Sequence, residues 1–295
     1  MDYSHAKGFH NGIVLEKVKN FGLGETLDNG STFRWTKLDE FRYLGVVHDK
    51  VLQLGYVSPD FLYIDNITLD EFESYFKMYF DLELDYDIVN KVLKEDKVLD
   101  KLIPSNNGLR LVKQDFLESF VSAYISQNNN IQRIKATIRK LCKTNGEEIS
   151  YKGKVFYGFP HLDKLCELTV DDWINIGLGY RAKGMHTAMV YLKDLELRVG
   201  NLDRYFMKMD YEDLKEELML FKGIGNKVAD FIVTMTGRCG NYIHAFTMDV
   251  WIKRAVRELY NLDCTNRIAM QKLNTEIFKG YTAIAQQNIF YYYRR

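Results

Sequence analysis

A chain of 295 residues that is 46% hydrophobic can build one large or two ordinary domains with a real core, and its 40 basic and 40 acidic residues cancel, so overall basicity does not announce a nucleic-acid partner. Cys142, Cys166, Cys239 and Cys264 lie far apart with no C-x-x-C pair, which argues against a zinc site, a disulfide framework, secretion and a clustered-cysteine iron–sulfur loop. No apolar run approaches the roughly 20 residues of a membrane span and the start MDYSHAKGFH is too polar for a signal peptide, so a cytoplasmic protein is expected.

The first hundred residues read as strands. GIVLEKV, STFRWTK, FRYLGVVH and KVLQLGYV are short β-branched and aromatic runs split by Gly22, Gly24, Asn29–Gly30, Asp39 and His48–Asp49, the pattern of an antiparallel meander. LDEFESYFKMYF reads as an amphipathic helix beside that sheet. From Ile88 the character turns helical. The loop Pro104-Ser105-Asn106-Asn107-Gly108 divides an antiparallel β-rich N-terminal domain, residues 1–105, from an α-helical domain, residues 106–295, so the fold class is α+β with a twisted sheet first.

LRLVKQDFLESFVSAYISQ is predicted as an interior helix, with Leu117, Phe120, Val121, Tyr124 and Ile125 apolar, ended by Gln127-Asn128-Asn129-Asn130. Charge is uneven along the chain: residues 60–100 hold twelve acids against four lysines, whereas Arg133, Lys135, Arg139, Lys140 and Lys143 follow with no acid among them. Such a run is either a solvated helix face or a surface on which a polyanion docks. In Gly177-Leu178-Gly179-Tyr180-Arg181, two glycines before an aromatic and a base predict a tight turn presenting Tyr180 outward; the alternative is that Tyr180 simply packs.

The stretch from Leu214 to Arg257 organises the rest. Leu214, Leu218 and Leu220, then Val228, Ile232 and Met235, predict two amphipathic helices around a hairpin in which Gly223 and Gly225 flank a plug, Ile224. The second helix starts at about Asn226. Its free amides and dipole make an anion site, and Gly223, Gly225 and Val228 are the phosphate-binding candidates. Lys227 then either neutralises a phosphate or acts as an amine nucleophile. Asp249, ahead of Val250, Trp251, Arg254 and Ala255, is either a helix cap alone or a carboxylate that stabilises positive charge developing on a sugar ring. At the end of the chain a helix over Ala285–Tyr293 places Gln286 and Phe290 one turn apart, a stacking ring and an amide.

The Gly223-Ile224-Gly225-Asn226-Lys227 hairpin with Asp249 resembles the helix-hairpin-helix-Gly-Pro-Asp superfamily of DNA glycosylases. From about Gly30 to Phe290 the chain is similar to its 8-oxoguanine DNA glycosylase family, whose G-x-S-F-R-W segment matches Gly30-Ser31-Thr32-Phe33-Arg34-Trp35. The resemblance implies Lys227 as nucleophile with Asp249 as its electrostatic partner. It implies the Gly30 carbonyl as acceptor for the N7–H that 8-oxoguanine has and guanine lacks; a hairpin turn is the plainer reading of Asn29–Gly30. Phe290, Gln286 and Phe231 would line the pocket of the extruded base, Asn128, Arg133 and Arg181 would grip the estranged cytosine, and Tyr180 would wedge into the stack. The implied partner is double-stranded DNA containing 8-oxoguanine, with no membrane and no metal or organic cofactor. The implied activity is 8-oxoguanine excision with β-lyase action; a monofunctional glycosylase for alkylated bases and a non-catalytic DNA-binding module are the alternatives. Lys222 and Thr247 stand where the family commonly has proline, and Phe231 where animal members have cysteine.

Overall fold

The computed structural model describes residues 2–106, 108–237 and 242–294, so Asn107 and Cys239 lie outside the described residues. Six strands, β1 (His5–Phe9), β2 (Gly12–Glu16), β3 (Trp35–Lys37), β4 (Arg42–Val47), β5 (Lys50–Ser58) and β6 (Phe61–Asp65), form one sheet in the order β1-β2-β6-β5-β4-β3. Every pairing is antiparallel. The alternation seen in the sequence fixes the register: Ile64 sits opposite both Ile13 and Leu54, and Leu62 opposite Leu15, all fully buried. A slip of one residue would turn this row to solvent, which is why the pattern specifies the pairing.

LDEFESYFKMYF is helical throughout, entering through a Thr68–Glu71 capping box and widening to a π-turn over Phe72–Phe76. Four strands escaped the pattern reading. β1, and a separate hairpin of β7 (Glu148–Tyr151) and β8 (Lys154–Tyr157), bury almost nothing and so carry no apolar alternation. β6 carries the signal, in Leu62 and Ile64, but follows β5 after only two residues. The predicted helix over 109–127 is confined to Phe116–Ser126. Residues ahead of it are extended because their amides pair elsewhere, Lys113 with the Tyr79 carbonyl at 2.8 Å and Gln114 with the Met235 carbonyl at 2.9 Å.

Beyond the sheet the regular elements among the described residues are helices, apart from the β7–β8 hairpin. The helices Phe116–Ser126, Ala182–Val199, Tyr211–Met219 and Asn226–Thr236 share a core that includes Phe120, Met189, Leu218 and Ile232. A second helical core joins Lys97–Ser105 to Val250–Tyr260 and the C-terminal helix Thr282–Arg294 through Leu102, Val256 and Ile289. Leu220 departs from the expected helix face, being 72% exposed. Among the described residues no helix is long and apolar enough to cross a membrane, and Cys142, Cys166 and Cys264 are free thiols.

Candidate active site

The predicted helix-hairpin-helix is present. Tyr211–Met219 and Asn226–Thr236 are its two helices, Gly223 takes φ +91° in the turn, and Ile224 is buried between them. Glycine is required where the backbone turns left-handed, and the buried isoleucine holds the turn against the core. A half-buried cluster locks the two helices together: Lys215 Nζ lies 2.9 Å from Asp230 Oδ1, to which the Tyr211 hydroxyl donates at 2.7 Å. Ala229, Ile232, Val233 and Met235 are fully buried on the same helix. At about 1.5–3 kcal/mol for each large apolar side chain, that burial fixes the rotation of the helix and sends Lys227 outward at its first turn.

Asp249 caps the next helix, its Oδ1 accepting from the Ile252 N–H at 2.8 Å. Burial pushes its carboxyl up from the ordinary value, against the Ile252 N–H and the charge of Lys227, which pull it down. The carboxylate that caps the helix also feels the charge of Lys227.

Both line one cavity of about 590 Å³, together with Gly30, Phe231, Gln286 and Phe290. Six positions separated by as many as 260 residues in the chain thus meet at one opening. Two other hollows, of about 470 and 710 Å³, combine no lysine with a carboxylate in their walls. Lys222 is absent from the cavity wall, so the lysine that faces it is Lys227.

Gly30 is not in a hairpin turn. It lies in the bend between the short helix Leu23–Leu27 and β3, at φ +88°. Its neighbours are pinned from three sides: Gln287 Nε2 donates to the Asn29 carbonyl at 2.9 Å, Gln114 Nε2 to the Ser31 carbonyl at 2.9 Å, and the Ser31 hydroxyl to Asn29 Oδ1 at 2.6 Å. A backbone carbonyl held this way keeps one direction without reorganising, which discrimination by a single hydrogen bond requires. Gln286 is fixed as well. Because the Thr247 N–H can only donate, the atom it meets at 3.1 Å is Gln286 Oε1, and this leaves the NH2 end for the cavity.

The remaining predicted residues stand at the rim or outside. Asn128, at φ +48°, and Arg133 are exposed on either side of the Asn130 cap of the helix Ile131–Asn145. Arg181 donates from Nη1 to the Gln127 carbonyl and lies over the Tyr180 ring at 5.5 Å, which brings the turn at Gly177–Arg181 against the asparagine turn. Tyr180 is 82% exposed and does not pack. In the hairpin, Gly223 and Gly225 are open to solvent, whereas the Val228 N–H already donates to the Gly225 carbonyl at 2.9 Å.

Residues 13–120 match the model of the 8-oxoguanine DNA glycosylase N-terminal domain. The fold is similar to the crystal structure of Clostridium acetobutylicum 8-oxoguanine glycosylase/lyase in complex with double-stranded DNA containing cytosine opposite 8-oxoguanine, with a TM-score of 0.90 and 31% identity, covering 100% of this chain and 99% of that one. The chain belongs to the 8-oxoguanine DNA glycosylase family. The apo form of the Clostridium protein is equally similar, at TM-score 0.90 and 32% identity, covering 99% of this chain and all of that one. The N-glycosylase/DNA lyase of Saccharomyces cerevisiae is 29% identical over 282 residues, 86% of this chain and 72% of that one.

In this family member the cavity wall also holds residues that sequence reading passed over. Trp251, 43% exposed, follows Asp249 by two positions, where its sequence context is only that of a helix's apolar run. Arg294 ends the C-terminal helix one turn beyond Phe290, and that i, i+4 spacing could have found it. Thr247, one of the departures from the family pattern, is buried in the wall with its hydroxyl unpartnered among the described residues.

Proposed function

We propose that Lys227 and Asp249 carry out bifunctional base excision on double-stranded DNA, releasing 8-oxoguanine paired with cytosine and then cleaving the strand by β-elimination. The neutral Lys227 amine attacks C1′ of the extruded nucleotide, and the bond from C1′ to the base breaks with its electron pair going to the base, which takes up a proton. The sugar opens to a Schiff base. Its iminium acidifies the C2′ proton; loss of that proton forms the C1′–C2′–C3′ conjugated system and expels the 3′ phosphate. The Asp249 carboxylate stabilises positive charge on the ring during the first step, in a site partly withdrawn from water.

Gly30 offers the acceptor for N7–H, Phe290 stacks on the base, Gln286 meets its Watson–Crick edge and Phe231 closes the pocket. Asn128, Arg133 and Arg181 engage the cytosine and Tyr180 fills the gap in the stack, while Gly223 and Gly225 face a phosphate through the hairpin backbone. Residues 1–105 and 106–295 form the β-rich and helical domains, and the protein acts in the cytoplasm as a monomer, on the nucleoid in a bacterial cell.

One observation carries this reading: among the described residues the one lysine in the cavity wall is Lys227, which shares it with Asp249, Gly30, Gln286 and Phe290. The test is incubation with duplexes bearing 8-oxoguanine, guanine or an alkylated purine opposite cytosine. Release of 8-oxoguanine with strand scission is expected. Release of the alkylated base without scission, or tight binding that leaves every lesion in place, would overturn it.

A further inference from the structure

Arg294 stands at the end of the C-terminal helix, where any cation is favoured by the helix dipole and needs only solvent around it. The residue is exposed, yet its guanidinium reaches back to line the cavity beside Gly30. A β-carbon built on Gly30 would lie 3.0 Å from Arg294 Nη1, 3.1 Å from Ile131 Cδ1 and 3.2 Å from Phe290 Cε1. The arginine therefore covers the same glycine whose carbonyl is assigned to N7–H, and does so beside the stacking ring. Arg294 has no ion pair or hydrogen bond among the described residues, although a guanidinium carries five donors.

Conversion of guanine to 8-oxoguanine changes two neighbouring atoms of the five-membered ring. N7 gains a proton, and C8 gains an oxygen that can only accept. A carbonyl at Gly30 answers the first change and nothing so far assigned answers the second. We propose that Arg294 is a specificity-determining residue that donates a hydrogen bond to the C8 oxygen of the extruded base, so that the lesion is read by an acceptor–donor pair, Gly30 and Arg294. This rests on the assignment of Gly30 to N7–H. A phosphate beside the extruded nucleotide is the competing partner for the guanidinium; the packing of Arg294 against Gly30 and Phe290, both walls of the base pocket, favours the base.

The test is equilibrium binding by the full chain in a Lys227→Gln background, which leaves the DNA intact. The duplexes carry 8-oxoguanine, 8-thioguanine, guanine or a tetrahydrofuran abasic analogue opposite cytosine. Arg294→Ala should weaken binding to 8-oxoguanine about tenfold, the effect of one hydrogen bond to a charged donor. It should change the abasic duplex less than twofold, and affect 8-thioguanine, which keeps N7–H but offers a weakly accepting sulfur, less than 8-oxoguanine. Equal losses on all four duplexes would make Arg294 a phosphate contact and overturn the proposal, as would equal losses on both modified bases or no loss at all. Failure of the Gly30 assignment looks different: the Arg294→Ala variant, which has only N7–H left to tell the two bases apart, would then bind guanine and 8-oxoguanine alike. Unchanged affinity for the abasic duplex also certifies that the variant is folded.

Discussion

Asp249 has two structural claims on it, and one pair of substitutions separates them. Asparagine caps a helix as well as aspartate does, so Asp249→Asn keeps an acceptor for the Ile252 N–H, now at 2.8 Å, and should alter stability by no more than a few tenths of a kcal/mol. Asp249→Ala removes the cap and should cost about 1 kcal/mol, close to 2 °C in Tm for a chain of this size. Both variants lose the charge. If the carboxylate stabilises the ring cation, each should lower single-turnover excision about 10²–10³-fold, the range found when one preorganised electrostatic group is removed from a reacting centre. Melting curves and single-turnover excision on one 8-oxoguanine duplex give both numbers. An asparagine variant that excises within threefold of the parent, with the alanine variant impaired only as far as its melting point falls, would reduce Asp249 to a cap and refute the electrostatic argument.

The same group sets a pH dependence. In the proposed reaction the carboxylate must be ionised, and burial raises its pKa, so excision should fall on acidification at a pH above the ordinary carboxylate range; the Asp249→Asn variant should lack that limb. Gly30→Ala forces an L-residue to φ +88° and sets its β-carbon 3.0–3.2 Å from Arg294, Ile131 and Phe290, so a loss of about 2 kcal/mol in stability and of the preference for 8-oxoguanine over guanine is expected; an unchanged melt and preference would show that the bend does not need glycine. Thr247→Val replaces a buried hydroxyl without a partner by a methyl of similar shape, and should raise stability by about 1 kcal/mol in a denaturant titration. A destabilised valine variant would mean that the hydroxyl is bonded in solution.

The proposed reaction centre was more legible than the frame that holds it. Gly223, Lys227 and Asp249 sit in one local motif whose turn, helix start and cap follow from residue type, so sequence placed the second hairpin helix at Asn226 as the structure does. Gly30 was legible only by resemblance. Its surroundings depend on Gln287 and Gln114, buried amides that bond backbone from 258 and 83 residues away, and no periodicity encodes such a contact. β1 and the β7–β8 hairpin failed for the opposite reason: with both faces wet, strand pairing there rests on backbone bonds that any side chain allows. Arg294 carries no signal of its own in the sequence, because the dipole alone accounts for an arginine at a helix end.

Borohydride trapping tests the chemistry most directly. Reduction in the presence of an 8-oxoguanine duplex should join protein to DNA through Lys227, giving a stable adduct that peptide mapping assigns to that residue. The adduct should be lost in Lys227→Gln and kept in Lys222→Gln, whose side chain lies outside the cavity wall. An adduct that survives Lys227→Gln, or excision with no adduct at all, would contradict the account.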